Sequence, residues 1–258
     1  MELIERFLTK NPCYQANLNQ ADSRYTRFQS TGPRGLMLHS VGCAQPKAEV
    51  FCRRWDRPDY ENGCVHALID ANTGAVWQTL PWNYRGWHGG GSCNNTHLGV
   101  EMCESSYIKY TSGATFEILD LAKAQADCKR TYDSAVQLFA MLCAKYGLDP
   151  LTQIISHKEG GKIGIASGHV DPEHYWNGLS MPYTMDTFRA DVANAMAEPD
   201  MPFTDVKETS YAYQAILRCY QRGLMVGTSP TTFSPKKAVT REQLAVVIDR
   251  AISYLGGG

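Results

Sequence analysis

Residues 156–176, SHKEGGKIGIASGHVDPEHYW, decide how we interpret the rest of the chain. They contain four side chains that commonly bind metal ions: His157, His169, Asp171 and His174. They also contain four glycines, which disfavour helix and strand, so we predict a loop. Pro172 restricts the backbone of the preceding residue, which favours an ordered loop that presents these side chains to a site.

A second segment, LMLHS at residues 36–40, is typical of a short buried strand and delivers His39 near its end. Catalytic zinc commonly takes three histidine or carboxylate ligands and leaves a fourth position for water. His39, His157 and Asp171 would supply such a set from two distant segments.

Composition excludes several classes of partner. The chain has 258 residues, a net charge of −1, 43% hydrophobic and 20% charged residues, which is typical of a globular protein. Nothing in this charge balance favours nucleic acid or an anionic membrane surface. No apolar run approaches the length of a membrane span.

The N-terminal sequence and the cysteines indicate the cellular compartment in which the protein is made. MELIERFLTKNP lacks the apolar core of a signal peptide, which predicts synthesis in the cytoplasm without a signal peptide. The nine cysteines are odd in number and include no CxxC pair, which favours reduced thiols.

Periodicity and turn signals predict an alternation of helices and strands. We predict helices over residues 2–9, 46–56, 116–146 and 185–196, strands over 36–40 and 98–103, and a hairpin over 65–80. Gly147 is the expected stop of the long helix. Alternating elements of both kinds predict an α/β fold.

Residues 81–95 and Glu101 are two further features that suggest a functional site. Residues 81–95 form an aromatic and glycine-rich loop, and we expect it to contact substrate. The candidate contacts are Trp82, Trp87, His88 and Asn95. The alternative is that the two tryptophans only cover the edge of the sheet. Glu101 lies in an apolar strand, where a carboxylate is costly unless it is paired or functional.

The C-terminal region reads as a separate module. EPDMP at residues 198–202 is a predicted linker, and residues 203–258 contain two predicted helices, over about 210–222 and from 240 onward. Thr240 and Gln243 form a capping box at the start of the second helix. Leu244, Val247, Ile248 and Ala251 would give that helix one apolar face.

The motifs LMLHS, ALID, RGWHGGG, HLGVEMCE and SHKEG…GHVDPEHYW occur in an order that resembles the zinc-dependent N-acetylmuramoyl-L-alanine amidases of type 2. These enzymes share their fold with the peptidoglycan recognition proteins. The chain resembles endolysins of phages and prophages of clostridia and related Gram-positive bacteria. The resemblance implies a central mixed β-sheet flanked by helices over residues 1–197, and cleavage of the amide between N-acetylmuramic acid and L-alanine in peptidoglycan.

The resemblance also implies roles for single residues. His39, His157 and Asp171 would bind Zn²⁺, and Glu101 would be the catalytic acid and base. His169 stands where many relatives have lysine, and it would stabilise the oxyanion instead. Two other ligand candidates remain open, His66 and His174, and His169 could replace Asp171 as a ligand.

Residues 203–258 are similar to a single S-layer homology motif, with Tyr211 where tryptophan is usual and TREQ in place of TRAE. Such motifs bind secondary cell-wall polymers, and Asp205, Tyr211 and Arg241 are the expected binding residues. The motifs normally occur in threes. Three chains could therefore pool their motifs in a homo-oligomer, or the module could dock on the catalytic domain or bind no polymer.

Alternative functions follow from the same residues. A peptidoglycan recognition module without activity would typically lack a metal ligand, whereas this chain carries the full candidate set. A structural wall-anchored protein would leave that set unexplained. A phage endolysin released by a holin and a cytoplasmic amidase that recycles muropeptides both fit a chain without a signal peptide.

Overall fold

The computed structural model describes residues 1–197 and 201–256. The chain divides into two compact units, one ending at Ala197 and the other beginning at Glu198. Residues 198–200 of the predicted linker lie outside the described residues. None of the helices in the described part of the chain is both long and apolar enough to cross a bilayer.

Helices and strands alternate along the first unit, as predicted. The strands are β1 (Leu3–Glu5), β2 (Gly35–Ser40), β3 (Ala67–Ile69), β4 (Val76–Gln78), β5 (His97–Met102), β6 (Ile108–Ser112), β7 (Thr115–Ile118) and β8 (Ile154–Ser156). Its helices are α1 (Pro12–Leu18), α2 (Ser23–Thr31), α3 (Ala48–Trp55), α4 (Leu121–Tyr146), α5 (Pro150–Gln153), α6 (His157–Lys162), α7 (Glu173–Gly178) and α8 (Met185–Met196). The second unit contains α9 (Tyr213–Gln221) and α10 (Arg241–Gly256).

Six strands form one sheet in the order β1-β4-β3-β5-β2-β8. Only the β3–β4 hairpin pairs antiparallel within it, so the sheet is mixed, as predicted. All six residues of β2 are buried, because a strand with parallel neighbours on both sides and helices on both faces has no solvent-facing side.

Successive side chains of each strand point to opposite faces of the sheet, and they pack into two hydrophobic clusters. Ile69 packs in the larger cluster with Phe139 of α4 and Phe188 of α8. Leu68 packs in the other with Phe51 of α3. Helices therefore cover both faces of the sheet.

The strand register brings three predicted site residues to one edge. His39 in β2 lies directly beside Glu101 in β5. On the other side of β2, Leu38 pairs with Ser156 of β8, which precedes His157. The carboxyl ends of these parallel strands therefore meet at the same edge, where open α/β sheets commonly bind ligands.

Several predicted elements are confirmed and three are wrong. The strand at His39, helix α3, the β3–β4 hairpin, β5 and α8 occur where the sequence places them, and α4 ends at Gly147 in the left-handed conformation. Residues 2–9 contain strand β1 instead of a helix. Residues 116–118 belong to β7 of the hairpin β6–β7 and not to the long helix. Residues 156–176 contain helices α6 and α7 in addition to loop.

The second unit has a small core of Phe203, Val206 and Ile216. The predicted capping box is confirmed. The backbone N–H of Gln243 donates to Oγ1 of Thr240 at 3.1 Å, and Oε1 of Gln243 accepts from the backbone N–H of Thr240 at 3.0 Å. This reciprocal pair satisfies two of the free N–H groups at the start of α10.

Candidate active site and metal centre

Three of the predicted metal ligands converge at the edge of the sheet. The Nδ1 atoms of His39 and His157 lie 3.0 Å apart. The carboxylate of Asp171 lies 3.2 Å from Nδ1 of His39 and 3.5 Å from Nδ1 of His157. All three residues are buried. His39 comes from the end of β2, His157 from the first turn of α6 after β8, and Asp171 from the loop before α7.

The donor set fits zinc. Two imidazole nitrogens and one carboxylate form a typical catalytic set, and ligand atoms of a tetrahedral zinc ion lie about 3.3 Å apart. The observed separations of 3.0–3.5 Å match that spacing. Burial lowers the pKa of His39, so this ring is neutral and can bind a metal.

The second ring nitrogen of each histidine is also engaged. Nε2 of His39 lies 3.0 Å from Nδ1 of His88. Nε2 of His157 lies 3.0 Å from Oγ of Ser167 and 3.1 Å from Nδ1 of His169. Such outer contacts orient metal-binding histidines. They were not visible in the sequence, because they join segments far apart in the chain.

Glu101 faces the same region. Its Oε2 atom is buried and finds no hydrogen-bond partner in the described part of the chain. Burial raises the pKa of Glu101 well above its ordinary value, and the negative charges of Asp171 and Glu104 add to this effect. A carboxylate with a raised pKa and a free oxygen is suited to accept a proton.

A cavity of about 530 Å³ opens over these groups. Its walls include Glu101, His157, His169 and Asp171, and the tip of the β6–β7 hairpin at Gly113 and Ala114. The strand ends thus form the floor, while the hairpin, which the sequence analysis missed, supplies part of the wall.

A second polar cluster lies in the wall of the cavity. The hydroxyl of Tyr110 donates to Oε2 of Glu104 at 2.6 Å and lies 2.7 Å from Nε2 of His174. Burial raises the pKa of Glu104 to about 7, although hydrogen bonds from Tyr110 and from the backbone N–H of Gly42 oppose the rise. Glu104 could have been noticed as the second acid of HLGVEMCE, whereas no sequence signal pointed to Tyr110.

The two competing ligand candidates do not reach the metal centre. His66 uses both ring nitrogens on the backbone: Nδ1 accepts from the N–H of Gly99 at 3.0 Å, and Nε2 donates to the carbonyl of Tyr84 at 2.8 Å. His174 contacts Tyr110 instead. The alternative ligand His169 turns Nδ1 towards the outer side of His157.

Of the predicted substrate contacts, only His88 lines the cavity. Trp82 is buried in the larger core cluster. Trp87 packs on the other cluster and donates from Nε1 to the hydroxyl of Tyr25 at 3.0 Å. Asn95 accepts from Nε of Arg85 at 2.7 Å. Both tryptophan rings complete apolar clusters, as the alternative of covering the sheet predicts, and their contact with substrate stays a prediction.

The residues predicted to bind wall polymer lie in the second unit. Asp205 uses both carboxylate oxygens to accept from the backbone N–H groups of Phe233 and Ser234, each at 2.8 Å, so it holds the turn of the motif together. Tyr211 is fully exposed, and Arg241 is exposed at the start of α10.

Comparison with known proteins agrees with this geometry. The sequence model of the N-acetylmuramoyl-L-alanine amidase family matches residues 29–174, more than half of the chain, so the chain belongs to this family. The model of the S-layer homology domain matches residues 202–245. The chain is thus a member of the type-2 amidase family with a C-terminal S-layer homology motif.

The fold is also found in a solved structure. That of Staphylococcus aureus hydrolase AmiA in complex with its ligand is 18% identical, covers 76% of this chain and 83% of that chain, and superposes with a TM-score of 0.56. This likeness supports the fold of a mixed sheet flanked by helices.

Two curated relatives match a short part of the chain. An endoglucanase of Bacillus sp. (strain KSM-635) is 45% identical over 51 residues, which is 20% of this chain. The surface-layer 125 kDa protein of Lysinibacillus sphaericus is 37% identical over 62 residues, which is 24% of this chain. The chain spans 5% of the length of each of these relatives.

Proposed function

We propose that this protein is a zinc-dependent N-acetylmuramoyl-L-alanine amidase that acts as an endolysin-type enzyme on the walls of Gram-positive bacteria. The observation that carries the proposal is the convergence of His39 Nδ1, His157 Nδ1 and the Asp171 carboxylate beside Glu101, whose buried Oε2 has no hydrogen-bond partner among the described residues. Zinc bound by these three groups supplies a Lewis acid that brings the pKa of water towards neutrality.

Glu101 moves the proton. It accepts at Oε2 the proton that the attacking water loses as its oxygen adds to the carbonyl carbon of the lactyl–L-alanine amide. It then gives that proton to the amide nitrogen as the C–N bond breaks, which releases the stem peptide with a free L-alanine N-terminus. The raised pKa of Glu101 favours the first transfer, because it makes the carboxylate a stronger base towards the attacking water.

His169 is the proposed stabiliser of the developing oxyanion. It lines the cavity next to His157, with 4.3 Å between the two ring centroids. A ring N–H directed into the cavity would stabilise negative charge on the carbonyl oxygen as the tetrahedral intermediate forms.

The second unit is the proposed anchor. The match to the S-layer homology domain supports binding to a secondary wall polymer, with Tyr211 and Arg241 as exposed contacts. Holding the enzyme on the wall raises the local concentration of its substrate without any new contact at the active site.

The test combines metal content with the product of digestion. Wild type, Glu101→Gln, Asp171→Ala and the exposed control Glu49→Gln are analysed for zinc by elemental analysis, and for new L-alanine N-termini and reducing sugars from purified peptidoglycan. Wild type and Glu49→Gln should hold about one zinc per chain and release N-termini without reducing sugars. Glu101→Gln should keep zinc and lose at least about 100-fold in rate, and Asp171→Ala should lose both.

Two outcomes would contradict the proposal. Full activity in the presence of a chelator that removes all metal would exclude the zinc dependence. Normal rates for Glu101→Gln with zinc bound would exclude Glu101 as the acid and base.

A further inference from the structure

His88 uses both ring nitrogens inside the protein. Its Nδ1 lies 3.0 Å from Nε2 of His39, and its Nε2 lies 3.0 Å from the carbonyl oxygen of His97. The rings of His88 and His39 meet nearly perpendicular, at 83°. His88 therefore lies between Nε2 of the candidate metal ligand His39 and the backbone carbonyl oxygen of His97.

The carbonyl oxygen of His97 determines which of these ring nitrogens donate a hydrogen bond and which accept one. A carbonyl oxygen only accepts, so Nε2 of His88 carries the hydrogen. A neutral imidazole has one N–H, so Nδ1 of His88 is an acceptor and Nε2 of His39 must donate to it. The same rule leaves Nδ1 of His39 with a lone pair, and this is the atom that faces His157 and Asp171.

The opposite arrangement is unfavourable. If Nδ1 of His39 carried the hydrogen, Nε2 of His39 would accept from His88, and Nε2 of His88 would turn a lone pair towards the carbonyl oxygen of His97 at 3.0 Å. Two acceptors would then face each other inside the protein, where an unmade hydrogen bond costs about 1–3 kcal/mol.

The surroundings hold the ring of His88 in place. A Cβ atom at Gly99 would lie 2.3 Å from Cγ of His88, so the ring packs directly on the backbone of β5. The backbone of this loop is held as well, because Oδ1 of Asn94 accepts from the backbone N–H groups of His88 and Gly89 at 3.0 and 2.9 Å. A ring that packs on a strand and whose backbone is anchored can orient its neighbour.

The other metal-binding histidine has a contact of a related kind, but it shares its partner. Nε2 of His157 faces the hydroxyl of Ser167 and a nitrogen of His169. The hydroxyl of Ser167 donates to the carbonyl oxygen of Gly89 at 3.2 Å and can accept from a ring nitrogen, but Nε2 of His157 and Nδ1 of His169 both lie 3.0 Å from it.

We infer that His88 is a positioning residue for the metal centre: by accepting from Nε2 of His39, it fixes the tautomer in which Nδ1 of His39 is free to bind the metal. This role rests on the proposed zinc site. It also assigns a task to the RGWHGGG loop other than contact with substrate.

The first experiment needs no variant. Long-range ¹H–¹⁵N correlation spectra of the ¹⁵N-labelled, zinc-free full chain report which nitrogen of each histidine is protonated. Protonation of His39 at Nε2 and of His88 at Nε2 is expected. Protonation of His39 at Nδ1 would overturn the inference.

The second experiment compares the zinc affinities of variants by competition with a chromophoric chelator. Thermal unfolding of the zinc-free proteins checks that each variant is folded. His88→Leu should bind zinc about 10–100-fold more weakly than wild type. His88→Asn should recover most of this loss, because its side-chain oxygen can accept near the position of Nδ1. Tyr132→Phe is the control, because it removes a buried hydroxyl that donates to Asp191 at 2.7 Å where α4 packs on α8, away from the contact to His39, and its zinc affinity should equal that of wild type.

The outcomes separate the two proposals. Zinc binding by His88→Leu as tight as that of wild type would overturn the role of His88 and leave the zinc site intact. A wild-type chain that binds no zinc would instead overturn the zinc site itself.

Discussion

Glu104 is a buried carboxyl group beside the cavity that takes no direct part in the proposed proton transfers. It accepts from Tyr110 and Gly42, yet burial raises its pKa from 4.5 to about 7. The folded protein therefore holds a proton on Glu104 over a pH range in which the unfolded chain releases it.

This difference predicts a pH-dependent stability. The favourable contribution of protonated Glu104 is fully present below about pH 4.5 and is lost as the pH rises through about 7. The loss amounts to at most about 3 kcal/mol. Glu104→Gln carries no charge, so its unfolding free energy relative to wild type should rise by up to that amount between pH 4.5 and 8.

Urea denaturation of the zinc-free proteins at several pH values measures this difference. Glu49→Gln, an exposed substitution, should show a constant difference from wild type across the same range. A constant difference for Glu104→Gln would mean that the pKa of Glu104 is not raised in the folded protein.

Single site residues could be predicted where the residue type and the surrounding motif indicated a metal ligand. His39, His157 and Asp171 were chosen from residue type and motif, and the structure brings them together. The contacts of Tyr110 and His88 were not predictable, because Tyr110 meets a histidine 64 positions away and His88 meets one 49 positions away. Spacing along the chain does not report such pairs.

Strand β5 shows how one element serves both packing and chemistry. Glu101 lies in it beside His39, and Gly99, two residues earlier, provides the space for the ring of His88. In most strands Gly→Ala stabilises by roughly 0.5–1 kcal/mol. Here the added Cβ would lie 2.3 Å from the ring and force it to move, so the sign should reverse.

We expect Gly99→Ala to lose roughly 1–3 kcal/mol of stability through overpacking. It should also weaken zinc binding, because the ring that orients His39 is displaced. Gly168→Ala is the control, since a Cβ there would meet nothing within 4 Å, and its stability should equal or exceed that of wild type. Urea denaturation and zinc competition measure both effects, and a stabilised Gly99→Ala would show that the strand tolerates the methyl group.

Elements with a strong local signal were predicted and those that depend on distant partners were not. Leu3, Ile4, Phe7 and Leu8 fit a helical period, but the short strand β1 forms there because it pairs in parallel with β4. In contrast, α6 carried a readable start signal that the glycines obscured: Ser156 and Glu159 form a capping box.

The second unit exposes apolar side chains that its own small core does not cover. Leu244, Ile248 and Ile252 follow one another every four residues along α10 and are 48%, 50% and 65% exposed. Full burial of a leucine or isoleucine side chain contributes roughly 1.5–3 kcal/mol. Since motifs similar to this one normally occur in threes, we propose that three chains bury these stripes together.

Sedimentation velocity at micromolar concentration tests the association of the full chain. Wild type should sediment as a trimer, and the double variant Leu244→Asp/Ile248→Asp as a monomer, because two charges on the stripe cannot be buried without partners. Asp249→Ser changes an exposed polar residue of the same helix and should leave the trimer intact. All three proteins should cleave a small soluble muropeptide at equal rates, since the proposed active site lies within residues 1–197. A strictly monomeric wild type would exclude the trimer.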